Sequence, residues 1–492
     1  MANRRRKVNM GTAKRPNILV VMTDHQRGDT ALPEHPARTP HLDALAKDGI
    51  IFTETYCPSP HCCPARATFF TGLYPTSHGV WNNICNDQAL SRTIRPGTKV
   101  FSEDLAANGY KLHYAGKWHV SVETSPKDHG FTEHFVTGTK GEHHGQRWDQ
   151  FRNALPSDVK KTAADGSIKR PGYVDFRLYG TREEQHHDEK THAAALNALS
   201  DLKGEHDPWM LYVSYIGPHD PYMVPKKYLD RYRLDDIPLP PNYSDRMRDK
   251  PRVYQRMRDQ VFGQLSETEV REGIRHFWAY CSYLDDLFGE LMSALDATGQ
   301  ADDTLVIYTS DHGDYCGEHG LFAKGIPNFK GAYHVPATMR WKNGIKKPGR
   351  RVDSFISLAD FAPTFLDLAG VRTNRYFSGT SITPFFRGET PDDWRDDIHF
   401  QCNGVELYYT QRAVKTKQFK YTFNGFDFDE LYDLVKDPHE TVNVSDDAAY
   451  ADIKRDMCRR MWQFGKKEND GATNPYITVG LAPYGPGIAF ER

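Results

Sequence analysis

The sequence predicts an α/β protein with a large, mostly parallel sheet flanked by helices, followed by a small antiparallel sheet and a helix. The chain has 492 residues, which is more than one small core needs. Apolar runs alternate with helical patterns until about residue 390, where short runs separated by turn signals take over. We therefore predict a basic N-terminal arm (1–15), a main α/β domain (16–388) and a C-terminal subdomain (389–492).

Four apolar runs in the main domain are predicted strands, and each ends in ionisable residues. The endings are Asp24 and His25 for run 17–25, Lys117 and His119 for run 110–119, His219 for run 210–219, and Asp311 and His312 for run 304–312. Ligands bind beyond the carboxyl ends of strands in open parallel sheets, so we expect these groups to share one edge. A single aspartate after a strand often only caps the next helix, but the repeated Asp-His ending favours a functional site.

Helix signals separate these runs. Thr39 and Pro40 predict the start of one helix, and Gly49 predicts its end. Ser266 and Glu269 predict a capping box at the start of a long helix. The apolar residues behind that box share one helix face and predict a core stripe rather than a cofactor site: Val270, Ile274, Phe277, Cys281, Leu284, Leu287, Leu291 and Leu295.

The C-terminal subdomain is predicted from short apolar runs with turn signals between them, which favour an antiparallel sheet. The runs are DIHFQC (397–402), LYYTQRAV (407–414), FKYTF (419–423) and ELYDLV (430–435). A helix is expected over about 447–463, and a tail rich in glycine and proline follows it.

Composition limits the partners and the compartment. The formal net charge of -2 and the pI near 6.9 give no electrostatic footprint for nucleic acid or a membrane surface. The longest apolar run, Ile18 to Met22, is too short to span a bilayer. The basic cluster Arg4 to Lys7 is not followed by an apolar segment, so we expect a cytoplasmic protein with a basic arm, or an arm that clasps a second copy in a homo-oligomer. Eight cysteines without a CxxC pair favour reduced thiols.

The polar segment from about 120 to 190 is rich in histidine and is long enough to wall a pocket. Its histidine pairs, His143 with His144 and His186 with His187, could suggest a metal site. We expect them instead on an exposed loop or helix surface.

The stretch HCCPARATFFTG (61–72) predicts a short helix with Pro64 in its first turn and Gly72 at its end. Cys62 then lies at the helix N-terminus, with Arg66 one turn further on. Backbone N–H groups, the helix dipole and a guanidinium together bind tetrahedral oxyanions and lower the pKa of a thiol. A cysteine-phosphatase loop does not fit, because it needs a longer spacer than the three residues between Cys62 and Arg66.

The residues from Cys62 to Arg66, followed by Thr71, Gly72 and YPTSHGV, resemble the signature of the type I sulfatases of the alkaline phosphatase superfamily. Further segments resemble that family in order along nearly the whole chain: PNILVVMTD, GKWH (116–119), PHDP (218–221), SDHGD (310–314), GEHGLFAKG (317–325) and LYDLVKDPHE (431–440). The resemblance implies an alkaline phosphatase-like fold, with 16–388 as the catalytic domain, and sulfuric ester hydrolase activity.

The resemblance also implies a role for each matching residue. Cys62 would be oxidised to formylglycine by a maturation enzyme, while Cys63 would be structural or incidental. One divalent metal ion would be held by Asp24, His25, Asp311, His312 and the modified Cys62. The catalytic residues would be Arg66, which orients the formylglycine, Lys117 and Lys324, which hold sulfate oxygens, His119, which supports the formylglycine hydroxyl, and His219, which protonates the leaving oxygen.

This assignment makes chemical sense because a hydrated aldehyde carries two hydroxyls. One hydroxyl attacks sulfur in line, and the other, when His119 deprotonates it, expels sulfate. A thiol or a serine lacks that second hydroxyl.

Two residues depart from the family pattern. Ala65 replaces the usual serine, and His25 stands where aspartate or glutamine is commoner. The resemblance implies Ca²⁺, whereas two imidazoles among the protein ligands would suit Mn²⁺ or Zn²⁺ better.

Two other functions remain open from the sequence. A phosphonate monoester or phosphodiester hydrolase of the same superfamily shares the alanine of CxPAR, although Lys117 and His119 favour sulfate monoesters. A sulfated-glycan-binding protein would have a broken catalytic set, which this chain does not have. We expect a sulfated carbohydrate as substrate, with an aryl or alkyl sulfate as the alternative.

Overall fold

The computed structural model describes residues 15–86, 89–138, 161, 163–170, 175–404, 407–425, 427–472 and 480–491. The basic cluster Arg4 to Lys7 and the pair His143 and His144 lie outside the described residues. The strands are β1 (Asn17–Thr23), β2 (Ile50–Phe52), β3 (Thr55–Tyr56), β4 (Lys111–Lys117), β5 (Phe131–Thr137), β6 (Ser167–Ile168), β7 (Phe176–Arg177), β8 (Tyr179–Arg182), β9 (Trp209–Ser214), β10 (Tyr222–Pro225), β11 (Thr304–Ser310), β12 (Ala337–Arg340), β13 (Arg350–Val352), β14 (Ile356–Ser357), β15 (Asp397–Cys402), β16 (Gln411–Thr416), β17 (Phe419–Asn424) and β18 (Glu430–Asp433).

Helices surround these strands. They are α1 (Pro40–Lys47), α2 (Cys62–Thr71), α3 (Pro75–His78), α4 (Phe101–Ala107), α5 (His187–Asp201), α6 (Lys226–Leu229), α7 (Arg252–Arg256), α8 (Glu267–Thr298), α9 (Lys330–Tyr333), α10 (Phe361–Leu368), α11 (Thr383–Phe386) and α12 (Ala451–Lys467). Among the described helices, none combines the length and the apolar character that a bilayer crossing requires.

The main sheet has eight strands in the order β13-β2-β12-β11-β1-β9-β4-β5. Strand β12 runs antiparallel to both of its neighbours, and the other neighbouring pairs are parallel. The central strands β1, β9 and β11 are buried along nearly their whole length, because their near-continuous apolar runs are covered on both faces. The predicted α/β fold with a large, mostly parallel sheet is confirmed.

The register of the central strands brings their polar endings to one level. Thr23 at the end of β1 pairs with Ser310 at the end of β11, so the two Asp-His pairs leave the sheet side by side. Lys117 ends β4, as expected. His219 differs, because β9 ends at Ser214 and a turn carries the chain on to this histidine.

Helix α2 begins at Cys62 and ends before Gly72, whose φ of 72° places it in the left-handed region that suits glycine. The capping box of Ser266 and Glu269 is present at the start of α8, and the predicted apolar stripe is buried. Thr39 makes no side-chain cap at α1, since the carboxylate of Asp285 accepts from the first helical amides instead.

The C-terminal strands form an antiparallel sheet in the order β15-β16-β17-β18, as predicted. Its two faces alternate along β16: Ala413 packs into the main core, and Val414 packs into a second, smaller core with α12. The predicted strand start at Leu407 is wrong, because β16 begins at Gln411. The predicted helix is shifted: a 3-10 turn occupies Ala448–Tyr450, and α12 extends to Lys467.

The predictions for the cysteines and for the pair His186 and His187 can also be compared with the structure. All eight cysteines are buried and reduced, as the absence of CxxC pairs predicted. His187 is exposed on the first turn of α5, and His186 is half-buried at its N-cap.

Candidate active site

Cys62 lies at the first position of α2, and its side chain is almost fully buried among the strand endings. Its Sγ is 3.4 Å from Asp24 Oδ1, 3.3 Å from His312 Nε2 and 3.2 Å from Lys324 Nζ. Burial opposes ionisation, but the positive charges of Lys117 and Lys324 lower the pKa of the Cys62 thiol well below its usual value. The side chain of Cys62 therefore lies where the strand endings and both lysines meet.

Ligand atoms of Asp24, His25, Cys62 and His312 all lie within 4.8 Å of one another. Nδ1 of His312 is 2.8 Å from the carbonyl of Gly313, which can only accept, so Nδ1 carries a proton and Nε2 faces the cluster. Burial raises the pKa of Asp24, but nearby positive charges, of which Lys117 is the largest, lower it to about 2, so this carboxylate is ionised.

His25, like His312, has its Nδ1 against an outer acceptor, which here is Asp314. Its Nδ1 lies 3.1 Å from Oδ2 of the buried Asp314, and the hydroxyl of Tyr222 donates to the same oxygen at 2.8 Å. Burial raises the pKa of Asp314 to about 7. Because Nδ1 is occupied, Nε2 of His25 faces the cluster, in the orientation that outer partners impose on metal-binding histidines.

Asp311 borders this group rather than joining its centre. Its Oδ1 accepts from the backbone amide of His312 at 2.8 Å and lies 3.8 Å from Nε2 of that histidine. Its Oδ2 accepts from Arg66 Nε at 2.7 Å.

Arg66 is fully buried and ties several strand ends together. It donates to the carbonyl of Lys117 at 3.0 Å and to Ser214 Oγ at 2.7 Å, and it approaches Asp24 Oδ2 at 3.5 Å. Because its donors have a fixed planar geometry, these contacts hold both Asp24 and Asp311 in place.

Two lysines contact the cluster, Lys117 from the end of β4 and Lys324 from the loop between β11 and α9. Lys117 Nζ contacts the second carboxylate oxygen of Asp24. Lys324 Nζ contacts Nε2 of His25 and lies 3.2 Å from Nε2 of His219. Both ammonium groups therefore face the residue 62 position.

The last two predicted residues lie at the mouth of the site. His119 is buried, and a hydrogen bond with the Cys62 side chain helps to raise its pKa above the usual value although burial opposes this. His219 is more accessible, with 29% of its side chain exposed. Its Nδ1 lies 2.5 Å from the backbone carbonyl of Asp220.

The structure thus brings together every residue that the sequence singled out for the site. Sequence reasoning missed the residues behind them, namely Asp314, Tyr222 and Ser214. Asp314 stands in the quoted SDHGD segment, but nothing in the sequence indicates that it faces His25.

The comparisons with known proteins point to one family. The family model described as sulfatase matches residues 16–371, and a model described as N-sulphoglucosamine sulphohydrolase, C-terminal, matches residues 317–467. The chain belongs to the sulfatase family. It is therefore a sulfuric ester hydrolase, and the predicted type of enzyme is confirmed.

Curated relatives of this sulfatase cover nearly the whole chain. It is 29% identical to the uncharacterized sulfatase YidJ of Escherichia coli over 93% of this chain and 88% of the relative. It is 30% identical to a choline-sulfatase of Rhizobium meliloti over 92% of this chain and 88% of the relative. Among solved structures, a phosphonate monoester hydrolase of Agrobacterium radiobacter matches with a TM-score of 0.74 and 25% identity, over 92% of this chain and 96% of that one.

Proposed function

We propose that this sulfatase hydrolyses a sulfate monoester of an alcohol, in the first place a sulfated carbohydrate, with a formylglycine formed from Cys62 as its nucleophile. The observation that carries the proposal is the position of Cys62 Sγ, which lies within 3.4 Å of a carboxylate, an imidazole and an ammonium group. A buried nucleophile that faces the ammonium groups of Lys117 and Lys324 suits an anionic ester.

The cluster fits one divalent metal ion. An ionised carboxylate and two imidazole Nε2 atoms with occupied Nδ1 atoms point to one centre, and such a donor set is typical of metal sites. Asp24, His25, Asp311, His312 and the modified residue 62 would hold the ion. When bound, it would supply positive charge for the attacking hydroxyl and the sulfate oxygens. We propose Ca²⁺ from the family resemblance, with Mn²⁺ and Zn²⁺ as the alternatives that the two imidazoles favour.

The modified residue would supply a hydrated aldehyde with two hydroxyls. One would attack sulfur and break its bond to the alcohol oxygen, which leaves as the alcohol. Loss of the proton from the other would then expel sulfate and restore the aldehyde. The thiol of Cys63 does not belong to the cluster of possible ligand atoms that includes Cys62. Burial and the neighbouring Cys85 raise the pKa of the Cys63 thiol well above its usual value. Formation of formylglycine requires a maturation enzyme as a partner.

Charge on the sulfuryl oxygens would be held by Lys117 and Lys324, whose ammonium groups face residue 62. Arg66 would fix the carboxylates of Asp24 and Asp311 and thereby the metal side of the site. Because these charges are in place before the ester binds, no large rearrangement would be needed in the transition state.

Proton transfer would involve two histidines. His219 would donate from Nε2 to the leaving oxygen, since its Nδ1 proton is held by the carbonyl of Asp220 and the carboxylate of Asp220 lies 3.4 Å from the ring. His119, hydrogen-bonded to residue 62, would take the proton of the hydroxyl that expels sulfate.

The leaving-group dependence of His219→Ala tests the acid role. General acid catalysis contributes about 10²–10⁴-fold, so we expect a loss of that order on a sugar or alkyl sulfate. The loss on an activated nitrophenyl sulfate should be much smaller, because that leaving group needs little protonation. Equal losses on both esters would remove the acid role from His219.

A second candidate function is phosphonate monoester hydrolysis. The solved phosphonate monoester hydrolase, with its TM-score of 0.74, favours it. A panel of sulfated saccharides, choline sulfate, aryl sulfates and phosphonate monoesters distinguishes the two. We expect the highest kcat/KM on a sulfate ester, and a higher value on a phosphonate would reverse the assignment. Mass spectrometry of the peptide that contains Cys62 should show its conversion to formylglycine.

A further inference from the structure

Asp188, the second residue of α5, is a fully buried carboxylate to which the proposed reaction gives no role. Its Oδ1 accepts from the backbone amide of Ile216 at 2.7 Å, and its Oδ2 accepts from the amide of Gly217 at 3.1 Å. The hydroxyl of Tyr280 donates to the same Oδ2 at 2.9 Å. Both oxygens therefore hold the turn that leads from β9 to His219.

The turn fits tightly against this carboxylate. A Cβ atom added to Gly217 would lie 2.4 Å from the Tyr280 ring and 2.9 Å from Asp188 Oδ2. Real Cβ atoms do not approach other atoms so closely, so the backbone at Gly217 has little freedom to shift.

The same turn touches the reaction site on both sides. The carbonyl of Gly217 accepts from the amide of Asp24 at 3.1 Å, and the amide of His219 donates to the carbonyl of Ile216 at 3.1 Å. The position of the turn therefore sets the position of the His219 backbone relative to Asp24.

A second residue of α5 supports the preceding part of the turn. His192 lies one helical turn after Asp188, and its Nδ1 is 2.9 Å from the hydroxyl of Tyr215. Its Nε2 is 2.9 Å from a carboxylate oxygen of Glu290 on α8. One face of α5 thus contacts successive residues of this connection.

We propose that Asp188 is a positioning residue for His219, because its carboxylate fixes the turn that directs the imidazole toward the leaving oxygen. The inference rests on the proposed acid role of His219. The ring of that histidine is partly exposed and contacts Lys324, Asp220 and the ring of His25, so its placement depends on the backbone that carries it. A displacement of about 1 Å in such a group can cost on the order of 100-fold in rate.

The test compares kcat on an alkyl sulfate and on an activated nitrophenyl sulfate. We expect Asp188→Ala to lower kcat about 10- to 100-fold on the alkyl sulfate and much less on the aryl sulfate. In the double variant with His219→Ala, the Asp188 change should add little further loss, because the group it positions is already absent. Asp188→Asn should recover part of the activity, since its amide oxygen still accepts from Ile216.

Asp285→Ala is the matched control. Asp285 is also a fully buried aspartate that accepts from two consecutive backbone amides, those of His41 at 3.0 Å and Leu42 at 2.9 Å, which are not part of the site. Its loss should lower the melting temperature without changing the ratio of the two activities. If Asp188→Ala fails to fold, Gly217→Ala perturbs the same turn, because its Cβ would press against Tyr280 and Asp188, and it should show the same ester-dependent loss.

Two results overturn the proposal in different ways. In the first, His219→Ala lowers kcat more on the alkyl sulfate than on the aryl sulfate, but a folded Asp188→Ala lowers kcat equally on both, and the two losses multiply in the double variant. Only the positioning role of Asp188 is then lost. If His219→Ala itself lowers both esters equally, the acid role fails, and the positioning role fails with it.

Discussion

The buried ion pair between Lys420 and Glu440 joins the C-terminal sheet to the loop that carries Lys324. Lys420 Nζ lies 2.6 Å from Glu440 Oε1, and the two side chains are only 3% and 4% exposed. Lys420 also donates to the carbonyl of Asn328, and Glu440 Oε2 accepts from the amide of Lys330 at 2.9 Å. The pair therefore holds the chain shortly after Lys324.

Lys420→Met should destabilise the protein strongly, because it leaves the Glu440 carboxylate buried without its counter-charge. Removing one partner of a buried ion pair costs about 3–5 kcal/mol, which is a large part of the 5–15 kcal/mol that typically separates folded from unfolded protein. We expect that loss in the first transition of guanidinium unfolding, followed by tryptophan fluorescence. Turnover should also fall, by up to about 100-fold, as the loop with Lys324 loses its anchor.

The control variants distinguish the ion pair from lysine loss in general. Lys436, in the turn after β18, pairs with Asp433 at 3.2 Å, but its side chain is 73% exposed, so Lys436→Met should leave the unfolding midpoint unchanged. The double variant Lys420→Met with Glu440→Gln removes both charges and keeps an oxygen that can accept from the backbone amide of Lys330. It should be less destabilised than the sum of the single variants. A loss under about 1 kcal/mol in Lys420→Met, or strict additivity in the double variant, would refute the reasoning.

Three further predictions concern the nucleophile, the metal and acid stability. Cys62→Ala should abolish turnover, whereas Cys63→Ala should keep most of it. If a folded Cys63→Ala variant loses activity although mass spectrometry shows normal formylglycine content, the modified position is not the one proposed. Asp24→Ala should lose metal and activity together, and full metal content by plasma mass spectrometry would place Asp24 outside the ligand set. Burial raises the pKa of the Glu54 carboxyl, but the ammonium group of Lys415, 3.2 Å away, is the main charge that lowers this pKa from 4.5 to about 2. The folded pKa is depressed, so its contribution to stability is present above pH 4.5 and disappears as the pH falls through about 2. Unfolding free energies over this window should fall more steeply in the wild type than in Glu54→Gln, and parallel curves would contradict the assignment.

Local sequence determined the position of Cys62 in the fold. Pro64 and Gly72 define the ends of α2 through backbone preferences that need no distant contact, so Cys62 is placed at a helix N-terminus by its neighbours alone. The endings of β1 and β11 were equally clear, because long apolar runs stop where Asp24 and Asp311 begin. Most of the candidate site could be predicted for this reason, aided by the family resemblance.

Tertiary structure alone decided how those endings meet and what holds them. Strand β12 runs antiparallel to its neighbours, and its four residues carry no local sign of that direction. Asp314 lies behind His25, from which it is far away in sequence. Asp188 lies behind the turn that carries His219, and the sequence does not specify the path of that turn. Strand order and buried hydrogen bonds arise from packing between distant segments. Local propensity and periodicity carry information only about neighbours, and so the supporting residues of the site could not be predicted from them.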